Sequence, residues 1–402
     1  MQHTLSDRYA LVRSHTLALA QPLSEADCQV QSMPDASPTK WHLAHTTWFF
    51  ETFVLEAAEP GFQPFHPAFR VLFNSYYNGI GQQHPRPQRG LITRPDLATV
   101  KAYRAAVDER VAALLARGVS EPIAARIELG LHHEQQHQEL ILTDLKHLLS
   151  CNPLAPVYRS DLQLEAAPTA TGAAAWVDVE GGLVEIGHRG EAFAFDNESP
   201  CHRVWLQAYA LADRLVTQGQ WAEFIADGGY RDARWWLAAG WDWVRQQQIE
   251  APAYWRRDGG TWQVFTLAGL QPLDAEAPLL HLSRYEADAY AHWLGAQTGS
   301  ALRLPTEAEW EHAAVHHGEP ALQQLQGPGW QWTASSYDPY PGFAPWAGAV
   351  GEYNGKFMVN QTVLRGGSCA TPAGHLRLSY RNFFPADTRW QFTALRLARD
   401  LR

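Results

Sequence analysis

The chain has 402 residues and a formal net charge of −10, and 46% of its residues are hydrophobic against 18% that are charged. This composition excludes a disordered chain, and at about 150 residues per domain the length predicts two or three domains. The acidic balance is the opposite of what a phosphate backbone attracts, so we expect no nucleic acid among the partners.

The first 150 residues predict a four-helix bundle. Amphipathic or capped segments predict helices over residues 5–20, 37–58, 96–117 and 120–149. A long segment rich in proline, glycine and asparagine, residues 60–95, separates the second helix from the third. Because long connections of this kind often carry function, this crossover loop is a candidate part of a site.

The rest of the chain changes character. Residues 151–175 are aperiodic and rich in proline, alanine and threonine, which predicts a linker. Residues 176–402 alternate short strands with turns and a few short helices, which predicts a loop-rich α+β domain. Most of the 17 tryptophans lie in this part, and we expect them to form much of its core. The predicted fold class is therefore multidomain, with an α domain followed by an α+β domain.

The cysteines and the apolar runs bear on the compartment. The four cysteines form no CxxC pair, so neither a cysteine zinc site nor a disulfide scaffold is expected. Charged residues interrupt the N-terminal segment, and no run of about 18 apolar residues occurs, so the sequence predicts neither a signal peptide nor a membrane partner. The expected location is the cytoplasm.

The strongest chemical signal is a histidine-rich turn in the fourth predicted helix. His133 and His137 lie four residues apart and project from one helix face, as two ligands of one metal ion must. In the second helix, His42 and His45 lie three apart, and His45 shares a face with aromatic residues that direct it inward. Three neutral imidazoles from two helices of a bundle suit Fe(II), Zn(II) or Cu(II) and leave positions open for substrates.

Two other interpretations remain open at this stage. In the first, the histidines are ordinary side chains on polar helix faces. The presence of a second histidine-bearing helix favours a metal site over this interpretation. The segment from His133 to His137, HEQQH, also matches the HExxH pattern of zinc metalloproteases, in which Glu134 would be the general base. No HxxGxxH continuation follows it.

Two stretches of the second half resemble a known domain. The segments RLPTEAEWE (residues 303–311) and LRGGSCATP (364–372) resemble the formylglycine-generating-enzyme fold, a variant of the C-type-lectin fold. Joined to a DinB-like four-helix domain with an HxxxHxE helix, they resemble the iron-dependent sulfoxide synthases of ergothioneine biosynthesis, the hercynine oxygenases. The resemblance covers nearly the whole chain. It implies a DinB-like iron-binding domain over 1–150 and a substrate-binding domain over 176–402.

The resemblance implies an oxidoreductase that holds Fe(II) through His45, His133 and His137. Members of the family use O2 to join the sulfur of cysteine or γ-glutamylcysteine to C2 of the imidazole of hercynine, and oxidise that sulfur to a sulfoxide. The related selenoneine synthases accept a selenosugar in place of the thiol. A metal with three neutral ligands suits an anionic thiolate.

The resemblance also implies roles for residues around the metal. Tyr76 or Tyr77 in the crossover loop is the expected proton donor, although some members take this tyrosine from the lectin-like domain. Arg86 and Arg89 are expected to bind the carboxylate of the thiol substrate. Gln136 is expected to form a hydrogen bond with the imidazole of hercynine.

The last expected contacts lie in the segment YRNFF. Asn382 and Phe383 are expected to bind the carboxylate and the trimethylammonium group of hercynine, because aromatic faces hold a quaternary ammonium well. One branch of the family has Trp-Asp where this chain has Phe383-Phe384. The missing aspartate removes a contact for a γ-glutamyl amino group and favours free cysteine. Cys201 and Cys369 lack the paired neighbours of formylglycine-generating enzymes, so we expect that the fold is reused here.

Overall fold

A computed structural model describes residues 4–162, 164–165 and 169–401, and the chain divides into two compact units. The first unit comprises Met1–Arg159, Ala347–Tyr353 and Thr371–His375. The second comprises Ser160–Trp346, Asn354–Ala370 and Leu376–Arg402. The linker over 151–175 stays a prediction. Residues 163 and 166–168 of this linker lie outside the described residues. Residues 1–3 of the first predicted domain and residue 402 of the second also lie outside them.

The first unit is built on helices, most of which the sequence predicts. They are α1 Leu5–Ala20, α2 Glu25–Gln29, α3 Thr39–Phe50, α4 Glu56–Ala58, α5 Phe69–Leu72, α6 Leu97–Ala116 and α7 Glu121–Ser150. Capping fixes several starts: the side chains of Thr4 and Asp96 accept hydrogen bonds from the first turns of α1 and α6. A π-helical turn over Glu51–Leu55 joins α3 to α4.

Helix α3 is the central helix of the unit, since every one of its residues is buried. It packs against α6 and α7. The approach of α7 to α3 requires glycine at position 130, because a Cβ there would lie 2.5 Å from Cε1 of Phe50. Position 130 comes one turn before His133, so the close approach brings the histidine-rich part of α7 up to α3.

The crossover loop between α4 and α6 is ordered by one buried side chain. Asn74 is fully buried, and its amide nitrogen donates to the carbonyl oxygens of Tyr77, Gly81 and Gln82 at 3.0, 3.3 and 3.2 Å. Its amide oxygen accepts from the backbone N–H of Tyr77 at 3.1 Å. The loop that carries the predicted catalytic tyrosines is therefore held by side-chain hydrogen bonds in place of a ladder.

The second unit consists of short sheets and helices. The helices are α8 Gln218–Ala226, α9 Ala238–Gln247, α10 Arg284–Thr298, α11 Glu307–His316 and α12 Gly318–Ala321. The strands are β1 Trp176–Val179, β2 Gly182–Ile186, β3 His202–Leu206, β4 Tyr209–Ala212, β5 Trp255–Asp258, β6 Thr261–Thr266, β7 Gly269–Pro272, β8 Leu302–Arg303, β9 Trp330–Ser336, β10 Thr362–Arg365, β11 Asn382–Phe384, β12 Thr393–Ala394 and β13 Ala398–Asp400.

The strands of the second unit pair in small groups. The sheet orders are β1-β4-β13-β8 and β11-β10-β9-β12, with β2-β3 and β5-β6-β7 as separate antiparallel groups. Large aromatic side chains contribute to the core of this unit: Trp221, Trp310, Trp330 and Trp332 are all almost fully buried. The prediction that tryptophan supplies much of this core is confirmed. Among the described residues, no helix combines the length and apolarity needed to span a membrane.

Candidate metal centre

Three buried histidines from two helices converge in the first unit. His45 lies on α3, and His133 and His137 lie one turn apart on α7. Each offers one ring nitrogen to a group whose members all lie within 4.8 Å of one another. The three side chains are at most 8% exposed, so the group is shielded from bulk water. The structure brings together the three histidines that the sequence predicts as ligands.

Hydrogen bonds decide which nitrogen of His45 faces this group. Nδ1 of His45 lies 2.6 Å from the carbonyl oxygen of Phe73, which only accepts, so Nδ1 carries the proton. Nε2 of His45 therefore keeps its lone pair, and it lies 3.2 Å from Nε2 of His133. Nδ1 of His133 is buried and has no hydrogen-bond partner among the described residues. A cation shared by the two Nε2 atoms would satisfy this arrangement.

His137 contacts a second histidine, which in turn contacts a carboxylate. Its Nδ1 lies 2.8 Å from Nδ1 of His42, and Nε2 of His42 lies 3.0 Å from Oδ2 of Asp144. Because the carboxylate accepts, His42 donates through Nε2 and accepts at Nδ1 from His137. This leaves a lone pair on Nε2 of His137.

The three imidazoles are held in the neutral form that binds metals. Burial lowers the pKa of His45 and of His137 well below the usual value, and the neighbouring histidines lower both further. Burial also lowers the pKa of His133, to about 3. A histidine nitrogen lies about 2.0–2.1 Å from the metal ion that it binds. Three nitrogens bound to one ion are therefore close to one another, as the ring nitrogens of these three histidines are. The residues therefore fit a divalent metal ion with nitrogen ligands.

Glu134 has a structural role that conflicts with the metalloprotease hypothesis. It is fully buried, forms an ion pair with Arg104, and lies 2.8 Å from Nη1 of Arg13 and 2.6 Å from the hydroxyl oxygen of Thr16. Burial alone would raise the pKa of Glu134, but the two arginines outweigh burial and lower that pKa to about 2. A carboxylate with both oxygens engaged in this way cannot serve as the general base of an HExxH site.

The two predicted anion-binding arginines lie in different environments. Arg89 is buried, its guanidinium carbon lies 3.4 Å from the centroid of the Trp41 ring, and its Nη1 donates to the Ser37 hydroxyl at 2.9 Å. In the part of the chain that the structure describes, Arg89 has no carboxylate within ion-pair distance, and its Nε lacks a partner. Burial is the largest cause that lowers the pKa of Arg89, to about 9. Arg86 is exposed and donates to the carbonyl of Asp35.

Three tyrosines lie near the histidine group. The rings of Tyr76 and Tyr77 are 4.8 Å apart, and Tyr77 is fully buried beside Trp48. Tyr353, which the sequence analysis does not single out, packs its ring 5.6 Å from that of His133 and 6.2 Å from that of Tyr76. Burial raises the pKa of Tyr76 and of Tyr77, so both phenols hold their protons at neutral pH.

Glu352, the residue before Tyr353, joins the segment 347–353 to the crossover loop. The two carboxylate oxygens of Glu352 accept from the backbone N–H groups of Asn78 and Gly79 at 2.9 and 2.6 Å. A Cβ at position 79 would lie 3.0 Å from Oε1 of Glu352, so glycine permits the contact. The 347–353 segment thus becomes part of the first unit although it lies far away in sequence.

The remaining predicted site residues fall in both units. Gln136 is half-buried on α7, and its neighbour Gln135 donates to the carbonyl of Ala373 at 3.4 Å. In the second unit, Asn382 begins β11 and its side-chain oxygen accepts from the N–H of Phe383 at 2.9 Å. Phe383 stacks on Tyr337 with 4.0 Å between ring centroids. Phe383 and Tyr337 therefore form a stacked aromatic pair, and the contact of Phe383 with a quaternary ammonium stays a prediction.

Two protein-family models match this chain. The DinB superfamily matches residues 8–141, and the sulfatase-modifying factor enzyme 1-like domain matches residues 163–320. The order of these two domains and their helical and mixed character confirm the predicted fold class.

Relatives of known name match over the full length. A hercynine oxygenase of Mycolicibacterium smegmatis is 30% identical over 100% of this chain and 99% of its own length. The hercynine oxygenase of Mycobacterium tuberculosis is 30% identical over 99% of each chain. That of Mycolicibacterium thermoresistibile is 30% identical over 97% of this chain and 93% of its own.

Proposed function

Because this chain belongs to the hercynine oxygenase family, the sulfoxide synthases of ergothioneine biosynthesis, we propose that it joins the sulfur of cysteine to C2 of the hercynine imidazole. The C2–H and S–H bonds break, one C–S bond forms, and O2 supplies both the sulfoxide oxygen and the oxygen of one water molecule. The observation that carries the proposal is the buried convergence of His45, His133 and His137.

Iron(II) is the metal that we assign to these histidines. The three nitrogens would hold it, and when bound it supplies the redox capacity through which O2 oxidises the thiol. Three neutral ligands would leave the charge of the ion uncompensated, which would favour an anionic thiolate as a further ligand. The burial of the three histidines would limit the access of water to the ion.

The carboxylate of the thiol substrate is assigned to Arg89. A buried guanidinium without an ion-pair partner retains its affinity for an anion, and its stacking on Trp41 holds the planar fork in one orientation. Trp41 in turn stacks on His45 with 4.5 Å between ring centroids. The arginine is therefore connected to a proposed ligand through one aromatic ring. Arg86 is assigned a weaker, exposed contribution to the same anion.

Replacing Arg89 with leucine is expected to raise the KM for cysteine by about 10- to 150-fold, because a charged hydrogen bond contributes about 1.5–3 kcal/mol. The steady-state KM for the thiol, measured at saturating hercynine, gives this value. The Arg86→Leu variant is the comparison, and a smaller rise is expected since Arg86 is exposed. An unchanged KM in the Arg89→Leu protein would remove Arg89 from the thiol site.

The proton donor is assigned to Tyr76 or Tyr77 in the crossover loop. Each phenol is protonated at neutral pH, as a proton donor must be, and burial raises the pKa of both further above neutrality. Tyr353 is a competing candidate from the later segment, because its ring lies against that of His133.

Changing the donor tyrosine to phenylalanine is expected to divert turnover from C–S coupling to oxidation of the thiol alone, with at least a tenfold change in product ratio, since general acid catalysis contributes about 10²–10⁴-fold. Product ratios of the Tyr76→Phe, Tyr77→Phe and Tyr353→Phe proteins identify the residue. Tyr103→Phe is the control, because its hydroxyl donates to Glu51 at 2.6 Å. Unchanged ratios for Tyr76 and Tyr77 would contradict the loop assignment.

Hercynine is assigned to Gln136, Asn382 and Phe383. The side-chain amide of Gln136 both donates and accepts, as an imidazole requires, and it precedes a proposed ligand on α7. The face of Phe383 and the amide of Asn382 suit the trimethylammonium and the carboxylate of hercynine.

One experiment tests the reaction and the identity of the donor. The protein is loaded with Fe(II) under anaerobic conditions and mixed with hercynine and O2, and cysteine, γ-glutamylcysteine or a selenosugar is added in turn. Product masses should show the sulfoxide with cysteine as the best donor. Coupling with the selenosugar alone would assign the chain to selenoneine synthesis. No coupling with any donor would refute the proposal.

A further inference from the structure

A continuous chain of polar contacts runs from the proposed anion-binding arginine to one proposed metal ligand. Nη1 of Arg89 donates to the Ser37 hydroxyl at 2.9 Å, and the Ser37 N–H donates to Oδ2 of Asp144 at 2.8 Å. The same oxygen accepts from Nε2 of His42 at 3.0 Å, and Nδ1 of His42 faces Nδ1 of His137 at 2.8 Å. The reaction proposed above assigns no role to Asp144 or His42.

The proton positions along this series of contacts can be deduced from the Ser37 N–H, whose role as a donor is fixed. The backbone N–H of Ser37 only donates, so Oδ2 of Asp144 accepts there and also accepts from His42. In a neutral imidazole that donates to Asp144 through Nε2, this is the single ring proton, so Nδ1 of His42 accepts. The only proton available for that short contact is the one on Nδ1 of His137, which leaves the lone pair of His137 on Nε2.

We infer that Asp144 and His42 are positioning residues that fix the tautomer and ring orientation of His137, so that Nε2 is presented to the metal. The inference rests on the proposed role of His137 as a ligand. A hydrogen bond from the remote nitrogen of a ligating histidine to a carboxylate also makes the imidazole a stronger donor, and loss of such partners typically costs about 10–100-fold in metal affinity. Here the carboxylate acts through a second imidazole.

Burial makes the arrangement specific. His42 is 2% exposed and Asp144 7%, so water offers little replacement for a lost partner. Ser37 and His42 both use Oδ2 of Asp144, which ties the start of α3 to the part of α7 that follows His137. In an Asp144→Ala protein, His42 is free to move its proton to Nδ1, which would then face the proton of His137 and turn that ring.

The test measures metal affinity separately from turnover. Metal-free full-length protein is titrated anaerobically with Co(II) against a competing chelator, and the visible absorption of the bound ion reports its ligand set. Asp144→Ala is expected to weaken Co(II) binding by about 10–100-fold. Asp144→Asn keeps an acceptor oxygen and is expected to recover part of the affinity, as is His42→Gln, whose amide oxygen can accept from His137.

Glu51→Gln is the matched control. Glu51 is a buried carboxylate of the same unit that accepts from the Phe65 N–H at 2.7 Å and from the Tyr103 hydroxyl, and it does not contact the histidine group. This variant should bind Co(II) like the unmodified protein. If Asp144→Ala and Asp144→Asn both bind Co(II) with wild-type affinity and His137→Ala loses binding, the inference about Asp144 and His42 is refuted. The proposed ligand set then stands. Wild-type affinity in His137→Ala would refute the proposed ligand set as well.

Discussion

Replacing His137 with alanine is expected to abolish stoichiometric Fe(II) binding and, with it, all coupling of the thiol to hercynine. Only two of the three convergent imidazoles remain in this variant, and no carboxylate belongs to the group of metal-binding atoms among the described residues. Two neutral ligands with several open positions hold a divalent ion weakly. The iron content after anaerobic loading and gel filtration measures the effect.

His147→Ala is the control for this variant. His147 lies on the same helix, is half-buried, and contacts the Ser32 hydroxyl at 2.7 Å, away from the metal group. It should retain one iron per chain. A His137→Ala protein that also retains one iron per chain would show that the ion binds elsewhere.

Removing the carboxylate of Glu134 is expected to destabilise the first unit by about 3–5 kcal/mol, because a buried ion pair that loses one partner leaves an uncompensated buried charge. Both Arg13 and Arg104 contact Glu134 and are themselves almost fully buried. Arg13 keeps its ion pair with Asp108 at 2.6 Å, so Arg104 is the charge that is left uncompensated. Unfolding of the metal-free Glu134→Ala protein in urea measures the free energy. The metal is left out so that its binding does not mask the difference.

Glu128→Ala, six residues earlier on α7, provides the comparison. Glu128 pairs with Arg8 at 2.9 Å, but both side chains are more than a third exposed, so the expected loss is at most about 1 kcal/mol. Equal losses in the two variants would contradict the role of Glu134. The pH dependence has a defined sign: the pKa of Glu134 falls from 4.5 to about 2 on folding, so its stabilisation is complete above pH 4.5 and disappears as the pH approaches 2.

The sequence is sufficient to predict the three convergent histidines because helical periodicity determines which side chains share a face. His133 and His137 need only the spacing of four residues, and His45 needs only the inward face of its own helix. The sequence does not predict the hydrogen-bond partners of these histidines. Asp144 lies on the same face of α7, two turns beyond His137, but pairing it with His42 requires the packing of α3 against α7, which periodicity does not give.

Contacts from distant segments were missed for the same reason. The segment with Glu352 and Tyr353 joins the first unit, and Glu352 accepts hydrogen bonds from Asn78 and Gly79. No local sequence pattern predicts this pairing. The sequence does not predict the ion pairs of Glu134, because the HExxH match gives this residue the role of a general base. A weak signal existed: Arg13 and Arg104 are charged residues at otherwise apolar helix positions, and such residues are buried only with partners.

The tryptophans have two kinds of location in the structure. Tryptophans such as Trp310 and Trp332 fill the core of the second unit, where regular layers are short. Trp41 lies instead between the ring of His45 and the guanidinium of Arg89. Its proposed task is to align a ligand with the residue that binds the substrate anion.

The proposed reaction is tested by the mass of the product that the iron-loaded protein forms from hercynine, cysteine and oxygen-18 gas. We expect a sulfoxide in which cysteine sulfur is bonded to C2 of the imidazole and which contains one oxygen-18 atom. A product without the C–S bond, or a sulfoxide whose oxygen comes from water, would refute the reaction.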